Sequence, residues 1–346
     1  MNEKFQVGLT RDFKTDDGQL TYDDIGLDIL EAHPDVEHRF FERHEPLVTA
    51  EQLADFDAVI SLTPRYTAQS FEGVEKLAAI VRFGVGYDSV DVTACTEADV
   101  LLCITAGAVN HSVAEATITW MLTLSHNVFI KDRITRDGRW NDRTFYMGRE
   151  LRDRTLGIVG LGGIGGRLIE MIRSFGMKTP LAFDPFISPQ RANELGARLV
   201  SLEELLRESD FVSVNCPLTD ETRNLIGRDE LALMKPDAYL INTARGGIVN
   251  EAALVAVLQA RGIAGAAMDV YETEPVKPDN PLLQLDNVIL APHCIAWTDE
   301  LFRDIGRMAC RITTMVAEGK VPPGVVNREV LERPGFQAKL ARYRQS

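Results

Sequence analysis

From residue 155 onward the apolar positions fall into short unbroken runs separated by stretches of helical spacing. Runs at 155–160, 179–183, 211–215, 238–242, 265–270 and 287–291 are apolar on both faces, which predicts strands of a parallel sheet covered by helices on two sides. The intervening helices have legible ends. Ser201 and Glu204 have the spacing of a capping box ahead of Leu205 and Leu206, and Asn250 is placed to cap a helix running to Arg261 and stopping at Gly262. The first hundred residues repeat the alternation more weakly, with strands predicted at 7–10, 58–62, 78–82 and 100–104. Ser112, Glu115 and the apolar pattern over 113–130 predict one long capped helix between the two regions. After His293 the pattern is helical through about residue 316, is broken by Pro322, Pro323 and Gly324, and ends in a charged helical tail at 337–345.

This order of elements predicts an α/β protein of two Rossmann-like or flavodoxin-like domains. A doubly wound parallel sheet over 107–295 is inserted into a smaller domain built from 1–106 and 296–346. Two chain crossings make a hinge, so closure of a cleft on ligand binding is expected.

Composition narrows the function classes. The 346 residues are 45% apolar and 25% charged, as in an ordinary globular protein of about two domains. A formal charge of −14 without a basic run argues against general nucleic-acid binding. No apolar stretch reaches the roughly 20 residues of a bilayer span, and the first residues lack the apolar block of a signal peptide, so a cytoplasmic location is expected. The five cysteines, Cys95, Cys103, Cys216, Cys294 and Cys310, contain no Cys-x-x-Cys pair and read as reduced, packed thiols. His33, His38 and His44 are spaced unsuitably for one helical face, and no metal site is assigned.

The strongest local pattern is Gly160-Leu161-Gly162-Gly163-Ile164-Gly165, between a predicted strand and a helix expected from Gly166 to about Phe175. Gly160 permits a tight turn, Gly162 lets the backbone approach a pyrophosphate, and Gly165 allows close helix packing, with the anion at the helix N-terminus. Such a loop alone is weak. Asp184, 19 residues beyond Gly165 at the end of the next strand, strengthens it, because a carboxylate there reaches a ribose 2′-hydroxyl and repels a 2′-phosphate. Its neighbours Ala182, Phe183, Pro185 and Phe186 include no arginine, which favours NAD over NADP.

Three further segments put a polar residue beyond the C-terminal end of a predicted strand, where open parallel sheets bind ligands. They are Arg245 in Asn242-Thr243-Ala244-Arg245-Gly246-Gly247, Glu274 in Asp269-Val270-Tyr271-Glu272-Thr273-Glu274-Pro275, and His293 after Pro292. Histidine exchanges protons near neutrality, a neighbouring carboxylate favours its charged form, and arginine offers a planar fork matched to a carboxylate.

These segments, in this order and with the glycine loop and Asp184, resemble the D-isomer-specific 2-hydroxyacid dehydrogenase family, which includes D-3-phosphoglycerate dehydrogenases, glyoxylate and hydroxypyruvate reductases and D-lactate dehydrogenases. The resemblance spans about residues 55–330. It implies an NAD-dependent enzyme acting on a small 2-keto acid such as glyoxylate, hydroxypyruvate or phosphohydroxypyruvate. Arg245 would hold the substrate carboxylate and carbonyl, His293 would exchange the proton beside the cofactor, and Glu274, the glutamate directly before Pro275, would pair with His293 in preference to Glu272. Asp269 would lie near the nicotinamide carboxamide, with Cys216, Pro217, Thr222, Thr243 and Ala244 as further cofactor contacts. Phe83-Gly84-Val85-Gly86-Tyr87-Asp88 is similar to the family loop whose amides receive the substrate carboxylate, although a plain turn is the alternative. Arg65 is a candidate for the far end of the substrate or a solvated side chain, and Trp297 a pocket wall or a core residue. His111, beside the helix start, is expected to be structural. The helix from 112 and the arm through Met147 imply a homodimer.

The chain departs from the family at Cys294-Ile295-Ala296-Trp297, where small residues are usual, and at Gly163, where a longer side chain is common. The short tail is expected to exclude a C-terminal regulatory domain. Two other readings stand beside the dehydrogenase. Related formate dehydrogenases carry glutamine where Glu274 stands, and nicotinamide-sensing corepressors use the fold as a binding module; against the latter, this chain shows neither long disordered tails nor an evident partner-recruiting segment.

Overall fold

A computed structural model describes residues 4–343. The chain forms two compact units, one running to Val109 and resuming at Trp297, the other spanning Asn110–Ala296.

The first unit holds strands β1 (Phe5–Leu9), β2 (Val36–Phe40), β3 (Ala58–Ser61), β4 (Ala79–Arg82) and β5 (Leu101–Ile104) in the order β2-β1-β3-β4-β5. All its pairs are parallel, the flavodoxin-like arrangement. The returning chain completes this unit from the far end of the sequence. Asn327, fully buried, accepts from the Leu102 amide at 2.8 Å and donates to the Val100 carbonyl at 2.9 Å. Lys339, on the helix Pro334–Tyr343, donates to the carbonyls of Leu77 and Ala98 at 2.8 and 2.9 Å. That helix is the expected tail, whose last residues, Arg344 and Gln345, lie outside the described residues.

The second unit contains β6 (Leu156–Val159), β7 (Leu181–Phe183), β8 (Arg198–Leu199), β9 (Phe211–Val214), β10 (Tyr239–Asn242), β11 (Gly265–Met268) and β12 (Val288–Leu290), ordered β12-β11-β10-β9-β6-β7-β8. This parallel sheet reverses its winding between β6 and β9, the doubly wound order. Successive strand residues enter opposite cores. Val159, Leu240 and Ala266 pack with Leu254 and Leu258 on one face, while Ile158, Ile241 and Ala267 pack with Ala114, Met121 and Leu168 on the other. Side-chain alternation of period two therefore requires apolar residues at every position. Fully burying a residue such as Leu240 or Ile241 is worth about 1.5–3 kcal/mol.

Several local expectations are revised. The helix expected over 113–130 is two helices, Asn110–Ser125 and Val128–Arg136, and it starts before Ser112, so Ser112 and Glu115 do not cap it. The break is at Asn127, which adopts φ 54°, a conformation asparagine tolerates. The returning segment meets it there, with Asn127 Nδ2 donating to the Met147 carbonyl at 3.1 Å and the Arg149 amide donating to the Ser125 carbonyl at 2.8 Å. Ser201 does cap its helix, accepting from the Glu204 amide at 3.1 Å, but the Glu204 carboxylate turns to Arg198 at 2.6 Å. Asn250 caps Glu251–Gln259 by accepting from the Ala253 amide at 2.9 Å.

Candidate active site

The glycine loop follows β6, beside the point where the sheet reverses. Gly160 has φ +93°, and a Cβ on it would lie 2.7 Å from the Cys216 nitrogen after β9. A Cβ on Gly165 would lie 2.9 Å from the Gly160 carbonyl and 3.0 Å from Ile158, so the helix packs directly on the turn. Gly163 is similarly close to the Asn110 side chain, at 2.5 Å. Gly162 differs, because nothing lies within 4 Å of a Cβ placed there. The helix begins at Gly163, three residues before the expected Gly166, and runs to Ile172, with a short 3-10 turn continuing to Phe175. Its cap residue offers no side-chain acceptor to the first-turn amides, including those of Ile164 and Gly165. Open space above Gly162 and amides without side-chain acceptors fit a pyrophosphate.

Asp184 stands just past β7. Its Oδ2 accepts from the Leu161 amide at 2.9 Å and its Oδ1 from the Phe186 amide at 2.8 Å, which fixes a carboxylate against the glycine turn. Beyond β9, Thr222 closes the loop on itself, its hydroxyl donating to the Pro217 carbonyl and accepting from the Thr219 amide, both at 2.7 Å. Burial pushes the Cys216 thiol up to about 11, with the Asp184 charge adding to it, so it stays protonated. The Thr243 hydroxyl is buried without a hydrogen-bond partner among the described residues.

The ends of β10, β11 and β12 carry the remaining chemistry of this unit. Arg245, partly buried, donates from Nη1 to the Ala244 carbonyl at 2.7 Å. His293 has φ 55° and its amide donates to the Asp269 carbonyl at 2.8 Å. Its Nδ1 lies 2.8 Å from Glu274 Oε2, and the other Glu274 oxygen accepts from the Tyr271 amide at 3.0 Å. Burial alone would raise the Glu274 carboxyl. The hydrogen bonds from His293 and Tyr271 and the charges of His293 and Arg245 outweigh it and hold the group below the ordinary range. Asp269 is 5% exposed, and its Oδ1 accepts from the Cys294 and Ile295 amides at 2.8 and 3.1 Å. Burial pushes its carboxyl up against those two bonds. Glu272 turns elsewhere, accepting from the Glu251 amide at 2.9 Å.

In the first unit the segment Gly84-Val85-Gly86 follows β4. Gly84 has φ +141° with open space where its Cβ would be, and its amide donates to Thr105 Oγ1 at 3.1 Å. Arg65 is exposed. Trp297 packs edge-on against Phe302 at 5.2 Å between ring centroids and remains 55% exposed, so it is not a core residue. His111, exposed, lies 2.7 Å from Arg167 through Nδ1 and 3.3 Å from Glu115 through Nε2. No metal-holding group of His, Cys, Asp or Glu occurs among the described residues.

The sequence profile described as the NAD binding domain of D-isomer specific 2-hydroxyacid dehydrogenases matches residues 118–294. The glyoxylate reductase of Aeropyrum pernix is 39% identical over 322 residues, 90% of this chain and 95% of that protein. The chain belongs to the D-isomer specific 2-hydroxyacid dehydrogenase family. A D-3-phosphoglycerate dehydrogenase of Archaeoglobus fulgidus is 37% identical over 279 residues, 81% of this chain and 53% of that protein. The crystal structure of a glyoxylate reductase from Paecilomyes thermophila, 28% identical, matches with a TM-score of 0.79 over 93% of this chain and 98% of that one. As a member of this family the protein is an NAD-dependent oxidoreductase acting on a CH–OH group.

Against this dehydrogenase background, sequence reasoning missed three supporting residues. Tyr271 holds Glu274 through its amide and donates its hydroxyl to the Ala291 carbonyl at 3.0 Å, two residues before His293. Arg82, ending β4, donates to the carbonyls of Ser61, Leu62 and Gly86 at 3.0, 2.6 and 3.2 Å. Asn242 ties the turn that carries Arg245. The first two work through hydrogen bonds made by or to the backbone, which no residue pattern displays. Only Asn242 had a sequence cue, an asparagine ending a strand, where side-chain turns on the backbone are common.

Proposed function

We propose that the protein reduces a small 2-keto acid of the glyoxylate, hydroxypyruvate or phosphohydroxypyruvate class with NADH, and oxidises the matching D-2-hydroxy acid in reverse. The observation that carries this reading is the His293–Glu274 contact of 2.8 Å, beside an arginine whose charge acts on the same carboxyl. With Nδ1 engaged by Glu274, His293 exchanges its proton with the substrate oxygen through Nε2. Glu274, held ionised by its partners, stabilises the imidazolium and fixes the ring. Arg245 pairs its planar fork with the substrate carboxylate and polarises the carbonyl. Bound NADH supplies the hydride. The glycine loop Gly160–Gly165 and Asp184 hold its pyrophosphate and ribose, and Asp269, Cys216, Pro217, Thr222, Thr243 and Ala244 lie on the same strand-end edge. A carboxylate at Glu274 also argues against the formate-oxidising variant, since formate presents no keto oxygen to protonate.

In this reading the unit of residues 110–296 holds the cofactor and the other unit holds the substrate. The turn Gly84-Val85-Gly86, open where a Cβ would stand, receives the substrate carboxylate, and exposed Arg65 takes its far end. Exposed apolar side chains on 128–147 support a homodimer. Among the described residues no helix is long and apolar enough to cross a membrane, and we place the enzyme in the cytoplasm. The test is NADH oxidation with a panel of 2-keto acids, comparing specificity constants, together with His293→Ala. Turnover should fall by about a hundredfold or more in the variant, while NADH binding persists. No oxidation with any keto acid would remove the proposal.

A further inference from the structure

Asn242 ends β10 with no exposed surface, and it spends both ends of its side-chain amide on the turn that follows. Its Oδ1 accepts from the Ala244 amide at 3.0 Å and its Nδ2 donates to the Arg245 carbonyl at 3.0 Å. One partner is a donor and the other an acceptor, so only one orientation of an amide satisfies both, and a carboxylate of the same shape satisfies one. On the far side of the arginine, a Cβ on Gly246 would lie 1.8 Å from the Tyr271 carbonyl oxygen, in the segment that leads to Glu274. The Arg245 backbone is thus tied from before and wedged from behind. The guanidinium itself returns to the Ala244 carbonyl at 2.7 Å, within the same turn.

We infer that Asn242 is a positioning residue that aims the Arg245 guanidinium, setting the affinity for the substrate carboxylate while touching neither substrate nor cofactor. A bidentate fork needs both of its parallel bonds aligned with the carboxylate, so a displaced guanidinium loses affinity for it. Asn242 therefore acts on keto-acid binding, whereas the glycine loop and Asp184 act on NADH.

This inference rests on the dehydrogenase reading, and wild-type NADH oxidation with the best keto acid of the panel reports on that reading alone. The inference is tested by Asn242→Asp, by Arg245→Ala and by the double variant. In Asn242→Asp the KM for the keto acid should rise by about tenfold, the size expected for losing one buried hydrogen bond, with kcat within about threefold of wild type. The dissociation constant for NADH alone, read from fluorescence quenching, should stay within about twofold. In the Arg245→Ala background the added Asn242→Asp should change KM no further, because a residue acting through the guanidinium has nothing left to aim. Asn242→Ser, which retains a shorter acceptor, is carried alongside in case the aspartate variant does not fold, and should raise KM in the same selective way. An unchanged KM in the folded variant, an equal loss of NADH affinity, or additive losses in the double variant would each overturn the assignment.

Discussion

Two opposing effects act on the Glu274 carboxyl, and their balance sets the pH behaviour of the site. Burial disfavours the charge, while the His293 and Tyr271 hydrogen bonds and the positive charges of His293 and Arg245 favour it more. With its pKa lowered in the folded protein, Glu274 contributes stability that is present above the ordinary carboxylate range and lost as the pH falls through its lowered value. In Glu274→Gln, which keeps the shape but removes the charge beside His293, the maximal rate of keto-acid reduction should fall by about tenfold or more. Steady-state rates check this, and an unchanged maximal rate would detach Glu274 from proton exchange. At this scale the sequence identified groups by their chemistry. His293, Arg245 and Glu274 stand out because few side chains can carry a proton, a fork or a compensating charge. Glu272 and Glu274 are chemically equal and two residues apart; the resemblance chooses Glu274 by its place before Pro275, and in the structure Glu272 meets the Glu251 amide while Glu274 meets that of Tyr271 and His293. Tyr271 and Arg82 were illegible for a related reason, since their work lies in hydrogen bonds made by or to the backbone.

Elements are held by backbone geometry, and the glycine turn separates two demands that its sequence pattern joins. Gly160 needs a positive φ and has the Cys216 backbone against it, so its role is to let the β6 turn exist. Gly162 has ordinary backbone geometry at φ −84° and open space around it, so its lack of a side chain serves something outside the fold. Gly162→Ala should leave the melting temperature within a few degrees of wild type while weakening NADH binding by about tenfold or more; Gly160→Ala should lower the melting temperature outright. Calorimetry and NADH titration on the same two variants check the split, and a Gly162→Ala protein with full affinity would mean that no phosphate approaches there. Strands β6, β9, β10 and β11 were legible because two helix-covered faces require apolar residues at every position. Strand β2 was missed for the converse reason. Its residues Val36-Glu37-His38-Arg39-Phe40 lie at the sheet edge with polar side chains facing out. Strand β8 has only two residues, too few to show a period. The break at Asn127 was hidden because the segment that meets it arrives about 20 residues later in the chain.

For the whole molecule, charge and exposed apolar surface pull in opposite directions. Each chain carries a formal charge of −14, so two copies repel, and association must come from burying apolar area. The segment 128–147 offers that area, with Trp140, Phe145 and Met147 exposed at 63%, 79% and 80%. Large side chains so exposed on one stretch are costly to a monomer and are typical of a surface that is covered. A homodimer joined through this segment should strengthen as salt rises from low ionic strength to about 0.15 M, because like-charge repulsion is screened over about 8 Å while apolar burial is not weakened. A double substitution, Phe145→Asp with Met147→Asp, adds both charge and desolvation cost and should give the mass of a single chain in light scattering. Its NADH affinity should be kept, because neither residue belongs to the glycine loop or to the strand ends that carry Asp184, Arg245 and His293. A wild-type protein at single-chain mass would remove the homodimer, and a dimer that persists in the double variant would move the interface off this segment.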